Sequence, residues 1–193
     1  MNEDDDPLDD EWPFERRIEA AAGWLVFGDW QQAKSELDNI TNLKIRKRPE
    51  VLKAYADIWE VSGDHAAMAR YMEVLVLYEP DEIDHRLRLN AALLALGRLD
   101  EARQFIEADL KQHPDHPALL FKLAITFCMM QKHEDAEWVL VQLFTLKDGK
   151  YERTYLGLAL DWPELAPLRE NLLKWQRELD EESGGGTPPE TTA

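Results

Sequence analysis

The chain has 193 residues, of which 45% are hydrophobic, so it can bury a sizeable core in one domain. Its formal net charge of −17 argues against nucleic acid as a direct partner, because an acidic surface repels phosphate backbones. No apolar run reaches the about 18–20 residues needed to cross a bilayer, so no membrane insertion is predicted. The single cysteine excludes an internal disulfide.

The acidic residues concentrate at the two ends of the chain. Residues 1–11 contain seven acids and no base, and residues 178–193 contain five acids and no base. We predict disordered tails at 1–11 and 182–193, on either side of a single helical repeat domain at 12–181. The amino end is acidic where a secretory signal would be basic and then apolar, so we expect a cytoplasmic protein.

Between the tails, apolar residues recur three and four positions apart, which is the spacing of amphipathic helices. Glycines and prolines fall between these segments, where they end helices or connect them. The predicted helices form successive pairs, in chain order 14–27 with 30–42, 49–61 with 65–78, 83–95 with 99–112, 117–130 with 133–146, and a terminal pair at about 151–160 and 165–181.

A turn phrase repeats along the chain at a nearly fixed interval. Its anchors are separated by 35, 34 and 34 residues, and they are Gly28, Gly63, Gly97 and Gln131. A bulky position keeps the same spacing through Leu37, Met72, Ile106 and Leu140, and another keeps it through Trp24, Trp59, Leu93 and Phe127. A period of about 34 residues is typical of stacked helical hairpins.

These residues resemble the tetratricopeptide-repeat family, in small proteins of the bacterial type. The family pattern of a small residue, a Gly-Asp-aromatic turn, an alanine, a bulky residue and a late proline is matched by Ala21, Gly28-Asp29-Trp30, Ala33 and Leu37, then by Ala56, Gly63-Asp64-His65, Met72 and Pro80, then by Gly97, Ala102, Ile106 and Pro114, and last by Ala124, Ala136 and Leu140. The stretch 156–171 is similar to the closing segment of many bacterial proteins of this kind.

The resemblance implies an all-α, right-handed superhelical solenoid of antiparallel helix hairpins, with about four repeats and C-terminal capping helices. It also implies a non-catalytic adaptor or scaffold that holds a peptide or protein segment in a concave groove. The first helix of each hairpin lines that groove in this architecture. The expected ligand-binding positions are Lys53, Asp57, Leu87, Arg88, Phe121, Lys122 and Ile125, with Glu60 pointing to the same side.

Three of these positions, Lys53, Arg88 and Lys122, are predicted to form a basic row beside apolar side chains. That combination suits an extended or helical peptide with acidic groups. The acidic segment 1–11 is a further candidate for this groove, either in its own chain or in a neighbouring molecule. The basic run of Lys44, Arg46, Lys47 and Arg48 is interpreted as a solvated loop, with a docking patch as the alternative.

No residue pattern indicates catalysis, a cofactor or a metal. His113 and His116 flank a proline in a predicted loop, and Cys128 lies in an apolar helix without basic neighbours. We therefore predict no enzyme activity, no cofactor and no metal site. The alternatives left open are a secretion-type or assembly chaperone that shields an apolar client segment and, more remotely, an enzyme or metal-binding protein. The oligomeric state is also left open.

Overall fold

The computed structural model describes residues 13–146 and 149–184, together with the side chains of these residues up to Glu181. Within these ranges the chain is helical and forms no strand. The elements are α1 (Phe14–Val26), α2 (Trp30–Asp38), α3 (Leu43–Arg46), α4 (Pro49–Ser62), α5 (His65–Tyr78), α6 (Ile83–Ala95), α7 (Leu99–Gln112), α8 (Pro117–Met129), α9 (His133–Phe144), α10 (Glu152–Asp161), a 3-10 helix (Pro163–Leu168) and α11 (Arg169–Gly184). The predicted tail at 1–11 and residues 185–193 of the other predicted tail lie outside the described residues, whereas residues 182–184 continue α11 and are not a disordered tail.

The predicted turns are present with the expected backbone. Gly28, Gly63 and Gly97 have φ angles of 75°, 77° and 70°, and Gln131 takes the same left-handed conformation with a φ of 61°. The Asp29 and Asp64 carboxylates then accept hydrogen bonds from free amides in the first turns of α2 and α5. The sequence period therefore corresponds to a repeated helix–turn–helix geometry.

The second helix of the first pair is shorter than predicted, because α2 ends at Asp38 and not at residue 42. The Asn42 side chain accepts hydrogen bonds from two amides and begins the additional helix α3. The Arg46 guanidinium donates to the carbonyl oxygens of Asp38 and Ile40, which satisfies acceptors at the end of α2. The terminal pair also differs, because a 3-10 helix that contains Pro167 precedes α11.

The contacts divide the chain into two units, Met1–Arg98 and Leu99–Ala193. The N-terminal unit contains α1 to α6, and its first core cluster joins Leu37, Ile40, Val51 and Ile58. In the C-terminal unit α8 packs along α9, and the terminal helices pack against this pair. Within the described residues, no helix is both long and apolar enough to span a membrane.

The repeated bulky column from Leu37 through Leu140 is fully buried at every position. The other column is less uniform, because Leu93 is buried but Trp24 remains 40% exposed. The Trp24 side chain is therefore only partly covered by the described residues.

Candidate functional site

In the N-terminal unit, four of the predicted site residues lie on α4 and α6. Arg88 of α6 donates from Nη2 to Asp57 Oδ1 at 2.6 Å and to Glu60 Oε2 at 2.7 Å, and both carboxylates belong to α4. Lys53 is exposed on α4, and Leu87 is half-buried on α6. The predicted neighbours are therefore brought together, with Arg88 as the link between the two helices.

The Arg88 pairing changes the electrostatics expected of this face. Burial alone would lower the pKa of Arg88, but the carboxylates of Asp57 and Glu60 raise it above its ordinary value. The guanidinium is thus fully charged and already neutralised by its own chain. With Lys53 included, two cations oppose two carboxylates on this face, so it is a balanced polar surface and not the basic row expected.

In the C-terminal unit, Lys122 of α8 is a cation of a different kind. Its Nζ atom lies 5.0 Å from the centroid of the Trp162 ring, and no carboxylate in the described part of the chain lies within 4 Å of it. Burial lowers the pKa of the Lys122 ammonium, and Glu164 offsets part of that effect at longer range. Lys122 is therefore a partly buried cation with an aromatic neighbour and no carboxylate partner among the described residues.

The apolar side chains expected beside the basic row are not accessible at Phe121 and Ile125. Both side chains are buried in the C-terminal unit, so they do not offer an accessible surface to a ligand. Phe121 packs edge-on against Trp162, with ring centroids 5.5 Å apart, and against Tyr155 at 5.3 Å. The terminal helices thus cover this part of α8, and these two residues belong to the core.

The contact between Trp162 and Lys122 was not predicted, because the resemblance indicates only that the stretch 156–171 closes the repeats. Glu60 was predicted on the correct side of α4, but its ion pair with Arg88 was not. A signal for that pairing was present. Asp57 and Glu60 precede Arg88 by 31 and 28 residues, so they lie about one and about two helical turns short of a full repeat.

The candidates for other chemistry are placed as follows. Burial and the neighbouring His113 lower the pKa of His116. Cys128 is buried in α8, and this burial raises the pKa of its thiol to about 11. Among the side chains that the structure describes, no three His, Cys, Asp or Glu residues come together as a group that could hold a metal ion.

The geometry of paired helices with repeated left-handed turns defines an all-α helical-repeat protein. No protein-family model matches the sequence, and no curated protein matches it either. Solved structures do. One is named MamA MSR-1 C2, with a TM-score of 0.61, 18% identity, and coverage of 72% of this chain and 80% of that one. Another is TTC0263, a thermophilic TPR protein of Thermus thermophilus, with a TM-score of 0.54 and 18% identity. This match covers 86% of this chain and 99% of that one.

At this level of identity the likeness defines the fold and not the activity. By that likeness, the chain has a fold of paired helices like that of a solved TPR protein, and the predicted all-α fold of helix hairpins is confirmed.

Proposed function

We propose that this chain is a non-catalytic protein-interaction module that binds a peptide or protein segment through the first helices of its hairpins. Proteins of this fold display helix faces, and the described residues offer no assembled metal-ligand set. In the N-terminal unit, the proposed contacts are Lys53, Asp57, Leu87 and Arg88. In the C-terminal unit, the proposed contact is Lys122.

The observation that carries the proposal is that the Lys122 ammonium is partly buried without a carboxylate partner among the described residues. A partly buried ammonium has lost hydration, and the Trp162 ring replaces only part of it. A carboxylate from a bound segment would complete its pairing at a place where the described residues supply none within 4 Å. We therefore propose that the bound segment carries an Asp or Glu side chain.

Arg88 has a positioning role in this proposal. Its two hydrogen bonds fix α6 against α4 and leave little charge for a ligand. Lys53 is exposed and free of carboxylates within the described residues, so it is the cation that a segment would meet in the N-terminal unit. Reversing Arg88 would disturb the surface as well as its charge, and the informative substitutions are at the two lysines.

The test begins with the tagged protein and a lysate of the source organism, followed by mass spectrometry of what is retained. Peptides from the recovered protein are then titrated against the wild type, Lys53→Gln and Lys122→Met by fluorescence anisotropy. Lys132→Met, which removes an exposed lysine at the α8–α9 turn, is the matched control. We expect Lys122→Met to weaken binding about tenfold, which corresponds to about 1.4 kcal/mol, and the control to leave binding unchanged.

Equal affinity of all four proteins would contradict the role of the lysines. Recovery of a stoichiometric apolar client that binds every variant equally would support the chaperone alternative. A tightly bound small molecule or metal in the purified protein would support the enzyme or metal-protein alternative.

A further inference from the structure

The C-terminal unit has a surface cavity that the proposed peptide contacts do not use. It has a volume of about 180 Å³ and lies between α9 and α11, with α10 at one side. Its walls include Val141, Phe144, Glu152, Trp175 and Glu178, and we refer to it as the α9–α11 cleft. Small-molecule sites occupy about 300–1,000 Å³, whereas about 150 Å³ admits one benzene ring. The α9–α11 cleft therefore fits a single bulky side chain better than a cofactor.

Exposed apolar groups continue from this cleft along α9. Val141 is at its edge, and Trp138, one turn earlier on the same face, is 67% exposed. In the wall of the cleft, Phe144 and Trp175 meet edge to face with ring centroids 5.6 Å apart. An exposed tryptophan one turn from a cavity lined by aromatic and acidic side chains has the composition of a protein-docking surface.

The charges around the cleft favour a cationic occupant. Glu152 is half-buried in its wall, and within the described residues no basic group comes within 4 Å of that carboxylate. Among the residues that the structure describes, Glu178 pairs only with Lys174, an exposed lysine of its own helix, at 3.7 Å. Glu134 lies one turn before Trp138 and is exposed. The matching occupant is one bulky apolar side chain flanked by lysines or arginines.

The chain itself presents that combination at α3, through Leu43 and the two lysines of the basic run. Leu43 is 69% exposed, and the neighbouring Lys44 and Lys47 are exposed with no carboxylate within 4 Å among the described side chains. The helix is held in place by the Asn42 cap and by Arg46, which donates to Asp38 O at 2.6 Å. Because it is already ordered, α3 loses little entropy when it docks.

We propose that α3 of one copy docks into the α9–α11 cleft of a second copy, with Leu43 in the cavity and Lys44 or Lys47 beside Glu152. The contact joins different surfaces of the two copies, so every open assembly keeps one free α3 at one end and one free cleft at the other. The association is therefore head to tail and grows with concentration. It is also weakened by salt, because part of it is electrostatic.

The test uses the full-length chain in sedimentation velocity over a concentration series. Leu43→Asp disables α3 and leaves the cleft intact, while Val141→Asp disables the cleft and leaves α3 intact. We expect the wild type to self-associate, each variant alone to remain monomeric, and an equal mixture of the two to form a dimer that grows no further. Leu77→Ala, which alters an exposed leucine of α5, is the matched control and should associate like the wild type.

Circular dichroism and thermal unfolding of each variant confirm that it is folded. The milder Leu43→Ala should weaken association about tenfold. A wild type that stays monomeric at every concentration would overturn the proposal. So would self-association of both Asp variants at wild-type strength, or a mixture that stays monomeric although the wild type associates. None of these outcomes depends on whether Lys122 binds a peptide.

Discussion

The α4–α5 turn in the N-terminal unit and the α8–α9 turn in the C-terminal unit reach the same backbone geometry with different residues. The first uses Gly63 in the left-handed conformation, and Asp64 then accepts a hydrogen bond from the Ala67 amide at 2.9 Å. The second places Gln131 in the left-handed conformation, and Lys132 makes no side-chain cap bond. A side chain in that conformation costs roughly 1–2 kcal/mol, so the second turn needs support from elsewhere.

That support is the burial of α8. Eight of its residues are buried, against five of α4, and α8 packs against α9. Where the local sequence favours the turn, as at Gly63, the helices need less packing to form the hairpin. Where the local sequence disfavours the turn, as at Gln131, burial of apolar side chains stabilises it. The contrast teaches that a repeat period can survive the loss of its most characteristic residues if the packing beneath it is kept.

The largest expected effect tests this packing directly. Leu140→Ala in α9 and Met72→Ala in α5 remove fully buried side chains at the same repeat position. Each should lower the free energy of unfolding by about 2–5 kcal/mol, with the larger loss at Leu140, as measured by urea denaturation. The exposed Leu77→Ala is the control and should change it by less than about 0.5 kcal/mol. A smaller loss at Leu140 than at Met72 would contradict the explanation.

The two units also differ in whether a partly buried cation is paired with carboxylates of the chain. Arg88→Ala leaves Asp57 and Glu60 without their shared partner, and we expect it to lower the free energy of unfolding by about 1–2 kcal/mol. Lys122→Met removes a partly buried charge that has no carboxylate within 4 Å in the described chain, so stability should stay within about 0.5 kcal/mol of wild type. A loss at Lys122 as large as that at Arg88 would show that both lysine and arginine are structural.

The smallest effects sharpen the comparison of the turns themselves. Gly63→Ala should destabilise by about 1 kcal/mol through its φ angle alone, since no atom lies within 4 Å of the added carbon. Gln131→Gly should stabilise by about 0.5–1 kcal/mol. Gly23→Ala is the control, because this glycine lies inside α1 with equal free space, and it should also stabilise by about 0.5–1 kcal/mol. Thermal unfolding would measure all three, and equal effects at Gly23 and Gly63 would contradict the argument.

The fold could be predicted from the sequence because the period is a property of many residues at once. The repeat is recognisable although position 131 is Gln and not Gly, because Ala124, Ala136 and Leu140 keep the same spacing. The additional helix α3 could not be predicted, because it depends on where the Arg46 guanidinium finds carbonyl oxygens at the end of α2. Such an interaction follows from the folded chain and not from local propensity.

The positions of the candidate site residues could be predicted, but their ion pairing and their exposure to solvent could not. The helical register placed Asp57, Glu60 and Arg88 on one side, yet it did not predict that the arginine would be neutralised by its neighbours. Phe121 and Ile125 were expected to be accessible because the sequence does not specify which face of α8 the terminal helices cover. That choice depends on the shape of Trp162 and Tyr155 against Phe121.

The burial of Cys128 has a practical consequence. With a thiol pKa of about 11, roughly one molecule in 10,000 carries the reactive thiolate at neutral pH. The native chain should therefore resist mild oxidants and maleimide dyes. A cysteine engineered on any exposed helix face would be modified selectively, and the protein could carry a single fluorophore or spin label without removal of its own thiol.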